Sequence, residues 1–354
     1  MRLIGTWLAV AAMATAAVAQ PAAPADAGKA PAQVVKSGNW SMSLPLGLQA
    51  DAAYLPADNP MSDDKIALGK LLYFDPRLSK DNTISCASCH NPFHGFTDPD
   101  RVSAGVGGKL GGRNSPTVMN RLFSKEQFWD GRAKDLEDQA HGPLVNPIEM
   151  AMPAHDAVVA KVKGIKGYAP LFKKAYGDEA ITMPRIAQAI AAYERTVVTG
   201  GSAYDRYLGG DKSAMSESQL RGMAVFLGRG RCVTCHVGFN FSDESYHNLG
   251  VGMDRPTPDL GRYEVSKRDE DRGAFKTPTL RNVELTAPYM HDGSESTLVA
   301  VVELYDRGGN KNAWLSKEMQ PLNLSPQEKI DLVAFMAALT GPINNAEPPA
   351  SLPQ

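Results

Sequence analysis

The sequence predicts an all-α protein of two domains whose helices are joined by long, irregular loops. Three observations carry this. Apolar residues recur at helical spacing behind serine caps; strand signals are sparse while glycine (32) and proline (25) are frequent; and one pentapeptide pattern occurs twice, about 140 residues apart. At net charge −2 the chain lacks the basic balance of a nucleic-acid binder.

Read in order, "MRLIGTWLAVAAMATAAVAQP" has an early Arg2, an apolar stretch from Leu3 and an Ala-Val-Ala ending at Ala19. That is the pattern of a secretory signal over residues 1–19, and it predicts export to the periplasm. The stretch is too alanine-rich for a membrane anchor, and no later apolar run is long enough to span a bilayer, so no membrane insertion is expected once the signal is removed. Residues 20–38 form a Pro/Ala-rich linker, expected to be disordered. Roughly 315 residues remain, which favours two domains.

The first domain is placed at 39–205. Its opening helix lies in "SDDKIALGKLLYF", with Ser62 as N-cap and Ile66, Leu68, Leu71 and Leu72 toward one side. Another helix is read from "PRIAQAIAAYERTVV", and the boundary falls near "GGSAYDRYLGGDK". The second domain, 206–345, repeats the plan with Ser216, Leu220, Met223, Phe226 and Leu227. A last helix is capped by Ser325, started by Pro326, supported by Glu328 and stopped by Gly341-Pro342.

Each domain carries the repeated pattern: Cys86, Cys89 and His90 in "SCASCH", then Cys232, Cys235 and His236 in "RCVTCH". These are all the cysteines of the chain. A zinc ribbon needs its pairs about 15–20 residues apart, and a thioredoxin-like pair would come once. Cys-x-x-Cys-His is the attachment signature of c-type haem: two thioethers fix the porphyrin, and His90 and His236 become proximal iron ligands. The domains are therefore read as cytochrome c-like. Spacing alone leaves the opposite faces of the irons open. His94 is too near His90 to reach across, and His141, His155, His247, His291 and fourteen methionines remain.

The segments "GKLLYFDPRLSKDNTISCASCH", "GGRNSPTVMN", "FWDGRAKDLEDQAHGPLVNPIEMAM" and "FKTPTLRNVELTAPYMHDGSESTLVAVVELYDRGG" resemble the bacterial di-haem cytochrome c peroxidase / MauG family, from about Pro60 to Thr340. The resemblance implies two cytochrome c-like domains, a peroxide-reactive haem in the first, a low-spin haem in the second and a calcium ion between them. In the peroxidase branch a histidine sixteen residues after the first proximal histidine caps that haem; Val106 stands there and cannot ligate iron. A methionine ligates the second iron in that branch, whereas MauG has tyrosine, matched by Tyr305. The resemblance further implies Glu149 as distal acid–base, Gln139 and Pro143 as pocket residues, and Trp129 as the relay between haems. Without it, Glu149 reads as a solvated acid and Trp129 as a core aromatic. Asn114, with the carbonyls of Thr286 and Pro288, matches the calcium site, and His291 fits a family position without a catalytic role.

The implied activity is oxidation of a partner protein by hydrogen peroxide, or by oxygen plus electrons, as in tryptophan tryptophylquinone maturation of a methylamine dehydrogenase precursor. The alternatives are a peroxidase fed by a small cytochrome c or cupredoxin, and a non-catalytic electron carrier. Val106 and Tyr305 favour the first. Gly230, where MauG places a tryptophan two residues before its second motif, departs from it.

Overall fold

The computed structural model describes residues 33–354, so the expected signal and most of the expected linker lie outside the described residues. The end of that linker departs from expectation. Val34–Ser37 forms strand β1, which pairs antiparallel with β2 (Trp40–Ser43), Val35 facing Met42. Two β-branched valines and a tryptophan favour extended backbone, and Val35 is buried with Leu44, Leu48, Leu122 and Val198 in a small cluster. A second two-stranded ladder joins β3 (Tyr246–His247) to β4 (Phe275–Lys276). The rest of the described residues is helix and loop, with a few isolated bridges.

The principal helices are α1 (Asp63–Phe74), α2 (Leu136–Val145), α3 (Met183–Glu194), α4 (Glu217–Leu227), α5 (Leu298–Asp306) and α6 (Pro326–Ala337). Ser62 caps α1 by accepting the Lys65 backbone N–H at 3.2 Å. Ser216 and Ser325 cap α4 and α6, each within a reciprocal capping box that satisfies otherwise orphaned backbone donors. The buried stripe of α1 is Lys65, Leu68, Gly69, Leu72 and Tyr73, at spacings of three and four. Ile66 and Leu71, expected on that side, flank the stripe and are half-buried.

Two helix pairs use the same device. α1 packs on α3 at Gly69, where an added Cβ would lie 1.8 Å from the Ala189 carbonyl oxygen. α4 packs on α6 at Gly222, where it would lie 1.8 Å from that of Asp331. Glycine at each crossing lets backbones touch. Around the first pair a core runs from Leu68 to Val197, and around the second another runs from Met215 to Leu339.

Buried polar clamps follow each core. Asn120 accepts the Thr199 N–H at 2.8 Å and donates to its carbonyl at 3.2 Å. Asn282 treats Gly341 alike, at 2.8 and 2.9 Å. Arg281 and Asp205, each with a side chain only 1% exposed, form a two-pronged pair at 2.8 and 3.0 Å. Two parallel hydrogen bonds are what a buried carboxylate needs to offset its lost hydration.

Candidate functional site

Both cysteine motifs fold as one tight turn. The His90 N–H bonds the Cys86 carbonyl and the His236 N–H bonds that of Cys232, each at 2.9 Å, so the thiols and imidazole of each motif share one cavity. The four cysteines are free, without a disulfide.

The surroundings are repeated too. Phe96 and Phe241, just after the two histidines, take left-handed backbone with φ of 57° and 53°. Across each cavity runs a Pro-Thr segment, "NSPTVMN" and "KTPTLRN". Thr117 donates to the Gly95 carbonyl at 2.6 Å and Thr279 to that of Asn240 at 2.7 Å. Each hydroxyl also accepts the backbone N–H two residues on. The segments close on Asn120 and Asn282, both left-handed, which are the clamps described above.

The first cavity brings together Cys86, Cys89, His90, Trp129, Gln139, Pro143 and Glu149. Gln139 and Pro143 lie on α2, one turn apart; Glu149 follows in the next loop. The Asn146 amide donates to the Glu149 carboxylate at 2.9 Å. Burial pushes the Glu149 pKa up, against the opposing charge of Arg132 and that hydrogen bond. Val106 is not in the cavity wall. Its backbone N–H donates to the Glu149 carbonyl at 2.8 Å, and the adjacent Gly105 approaches so closely that a Cβ would lie 1.9 Å from the Ile148 carbonyl oxygen. The loop that could have carried a capping histidine instead fixes the glutamate loop. Apart from His90 and the two cysteine thiols, the one further soft donor among the lining residues is Met150, which is packed in the first core.

The second cavity is lined by Cys232, Cys235, His236 and Tyr305. His236 Nδ1 lies 2.9 Å from the Phe241 carbonyl, which assigns the proton to Nδ1 and leaves Nε2 free. Burial, then the nearby Cys232 and Cys235, push the Tyr305 phenol pKa up. Met290, Met319 and Met336 also reach this wall. Asn114, Thr286, Pro288 and His291 line it as well, and the Asn114 N–H donates to the His291 carbonyl at 2.8 Å. His291 stacks on Phe275 at 3.5 Å between ring centroids, and burial lowers its pKa to about 4.

One wall borders both cavities: residues 114–117, Arg121, Trp129, Lys276 and Pro278. The Trp129 indole N–H donates to the Asn114 carbonyl at 2.8 Å, which fixes the ring within it. Sequence reading missed the two cations. Arg121 donates to Gln127 at 2.7 Å, and Lys276 pairs with Glu244 at 2.6 Å. Both stand in or beside the quoted blocks, and a cation inside an apolar run was the available signal. It also missed Glu194, a buried acid in the first cavity whose pKa burial raises to about 8.

These residues fit two covalently held porphyrins. Four unpaired thiols stand in pairs beside two imidazoles, and desolvation lowers both imidazole pKa values, favouring the neutral, ligating form. The His90 Nδ1 is a buried polar atom with no partner. Arg121 and the buried Lys276 bring positive charge to both cavities, suited to porphyrin carboxylates.

A mainly helical frame with two such motifs on either side of one tryptophan defines the di-haem class of c-type cytochrome. The di-haem cytochrome c peroxidase family model matches residues 63–213. The chain is 42% identical over 303 residues to the methylamine utilization protein MauG of Methylorubrum extorquens, covering 84% of this chain and 83% of that protein. It is also 42% identical over 312 residues to the cytochrome c551 peroxidase of Nitrosomonas europaea, covering 85% and 90%. Among solved structures, a MauG-like protein associated with microbial copper homeostasis superposes with TM-score 0.78 at 33% identity, covering 85% of this chain and 96% of that one. The diheme peroxidase BthA of Burkholderia thailandensis shares the fold, with TM-score 0.70 at 24% identity over 89% and 94%. The chain belongs to the di-haem cytochrome c peroxidase family and is an oxidoreductase of that family.

Proposed function

We propose that the chain is a MauG-type oxidoreductase: two cytochrome c-like domains, divided near residue 205, in which hydrogen peroxide, or oxygen plus electrons, drives oxidation of a partner protein. The observation that carries this reading is the partition of the side chains. Glu149 shares one cavity with His90, Tyr305 shares the other with His236, and Trp129 stands in the wall between. In this reading Cys86, Cys89, Cys232 and Cys235 hold the porphyrins; His90, His236 and Tyr305 ligate iron. When bound, the haems supply the redox chemistry that splits the peroxide O–O bond and holds two oxidising equivalents.

The chain's own groups handle the protons and the geometry. Glu149 takes a proton from one peroxide oxygen and returns it to the departing one, while Asn146 holds its carboxylate in place. Gln139 and Pro143 shape the reaction side, and Trp129 passes charge across the wall. Tyr305, as an anionic oxygen ligand, lowers the potential of the second centre, whereas methionine would raise it. Tyr305→Met should therefore raise that potential and change the low-spin absorption spectrum; an unchanged spectrum would remove Tyr305 from the ligand set.

We assign tryptophan tryptophylquinone maturation of a methylamine dehydrogenase precursor as the favoured role, in the periplasm, with calcium held by Asn114 and the Thr286 and Pro288 carbonyls. No helix among the described residues is long and apolar enough to cross a membrane. A second reading, peroxide removal with electrons from a small cytochrome or cupredoxin, is favoured by Gly230 and by the equal identity to a cytochrome c551 peroxidase. Mixing peroxide-treated protein with reduced cytochrome c or with the precursor decides between them. Quinone formation supports the first, and fast multiple turnover with the cytochrome supports the second.

A further inference from the structure

The tryptophan wall has an outward branch. Lys276 donates its backbone N–H to the Trp129 carbonyl at 2.8 Å and sits opposite Tyr246 in the β3–β4 ladder. The Trp129 and Tyr246 backbones are thus separated by one strand, about 10 Å or two strand spacings. The Tyr246 side chain turns back over the same tryptophan loop. Its hydroxyl occupies the space left by Gly131, where a Cβ would lie 1.7 Å from the phenol oxygen. That hydroxyl donates to Glu126 Oε2 at 2.6 Å. Tyr246 is half-buried, and the Glu126 side chain is 38% exposed, so the pair joins the wall to solvent. Glu126 is tied to the wall too, because its carbonyl accepts from Arg121 at 3.1 Å.

The charges around the ring determine how this phenol can be oxidised. The Arg262 guanidinium lies 4.3 Å from the ring centroid and the Lys276 ammonium 5.6 Å. Removing an electron alone would leave a positive ring close to two cations, which costs Coulomb energy in a half-buried setting. Removing the proton with it leaves the ring neutral, and Glu126 stands ready as the acceptor.

We propose that Tyr246 and Glu126 form a proton-coupled branch that carries one oxidising equivalent from the Trp129 wall to the protein surface. It rests on the reading of Trp129 as the relay. In the step, one electron leaves the Tyr246 phenol and restores one-electron-oxidised Trp129 to its resting indole. The phenolic O–H bond breaks as an O–H bond forms on Glu126 Oε2. The products are a neutral tyrosyl radical and a carboxylic acid, and hydrogen peroxide is the ultimate oxidant. A one-electron donor at the surface then reduces the radical, and the proton returns.

The test is freeze-quenched EPR of the holoenzyme after peroxide addition, with optical spectra taken in parallel. Wild-type protein should show a tyrosyl signal that narrows with side-chain-deuterated tyrosine. Tyr246→Phe should remove it, and Glu126→Gln should cut its yield at least tenfold and abolish the solvent deuterium effect on its rate of appearance. A tyrosyl signal unaltered in both variants, or optical oxidation in wild type without any tyrosyl signal, would overturn the branch alone. No optical response of wild type to peroxide would overturn the proposed function and the branch with it.

Discussion

Glu149 shows how a single side chain becomes suited to proton transfer. Burial beside the first cavity raises its pKa toward working pH, while Arg132 and the Asn146 amide keep it ionisable. The sign of the pH effect follows. A general base must be deprotonated before it accepts, so the rate of peroxide reaction should rise with pH through a midpoint above the ordinary carboxyl range. Glu149→Gln should lower that rate by about 10²–10⁴-fold and flatten the limb, as read by stopped-flow absorbance from pH 4 to 8. A variant that keeps the wild-type rate and profile would show that the proton is handled elsewhere. The shared cavities of the cysteines and their histidines were legible because the Cys-x-x-Cys-His spacing is local. Glu149 was legible only through the resemblance, since an acid in "NPIEM" looks solvated until the loop at Gly105 and Val106 closes on it. Lys276, Tyr246 and Glu126 acquire their partners from segments remote in sequence; Arg121 bonds the nearby Gln127 and Glu126, but its place in the wall shared by both cavities comes from the fold.

At the scale of elements, the helix starts were readable because a cap is a local hydrogen bond. Ser62, Ser216 and Ser325 each accept the N–H three residues on. The crossing glycines were not readable, because Gly69 and Gly222 look like weak points in a helical pattern until the partner helix is known. Gly222→Ala sets two effects against each other. Alanine favours an isolated helix by about 1 kcal/mol, but its Cβ would lie 1.8 Å from the Asp331 carbonyl oxygen. Prising α4 from α6 costs about 1–3 kcal/mol or more, so the clash should win and the urea midpoint should fall. Gly164→Ala is the matched control, since nothing lies within 4 Å of the added Cβ near the end of its helix. It should leave the midpoint unchanged or slightly higher. The hairpin at 34–43 escaped sequence reading for another reason: its strands are four residues long and follow a low-complexity stretch.

Taken as a whole, the molecule uses one plan twice and then breaks its symmetry. Glycine crossings, turn motifs, Pro-Thr segments and asparagine clamps recur in both halves, so the two cysteine motifs meet the same surroundings. The two cavities differ in what else lines them. The first cavity offers Glu149 and Glu194 and no histidine beyond His90, with Met150 committed to the core; the second offers the Tyr305 phenol. An iron with an open sixth position is high-spin when oxidised, whereas two strong protein ligands make it low-spin. The resting oxidised holoprotein should therefore show one high-spin and one low-spin haem by EPR in about equal amounts. Cyanide, small enough to enter the first cavity, should convert only the high-spin component. In Tyr305→Ala the low-spin signal should be lost or shifted, with the high-spin signal of the first haem retained. Two low-spin signals in the resting protein would mean that a side chain such as Met150 closes the first iron. Peroxide would then need a reductive opening step before Glu149 could act.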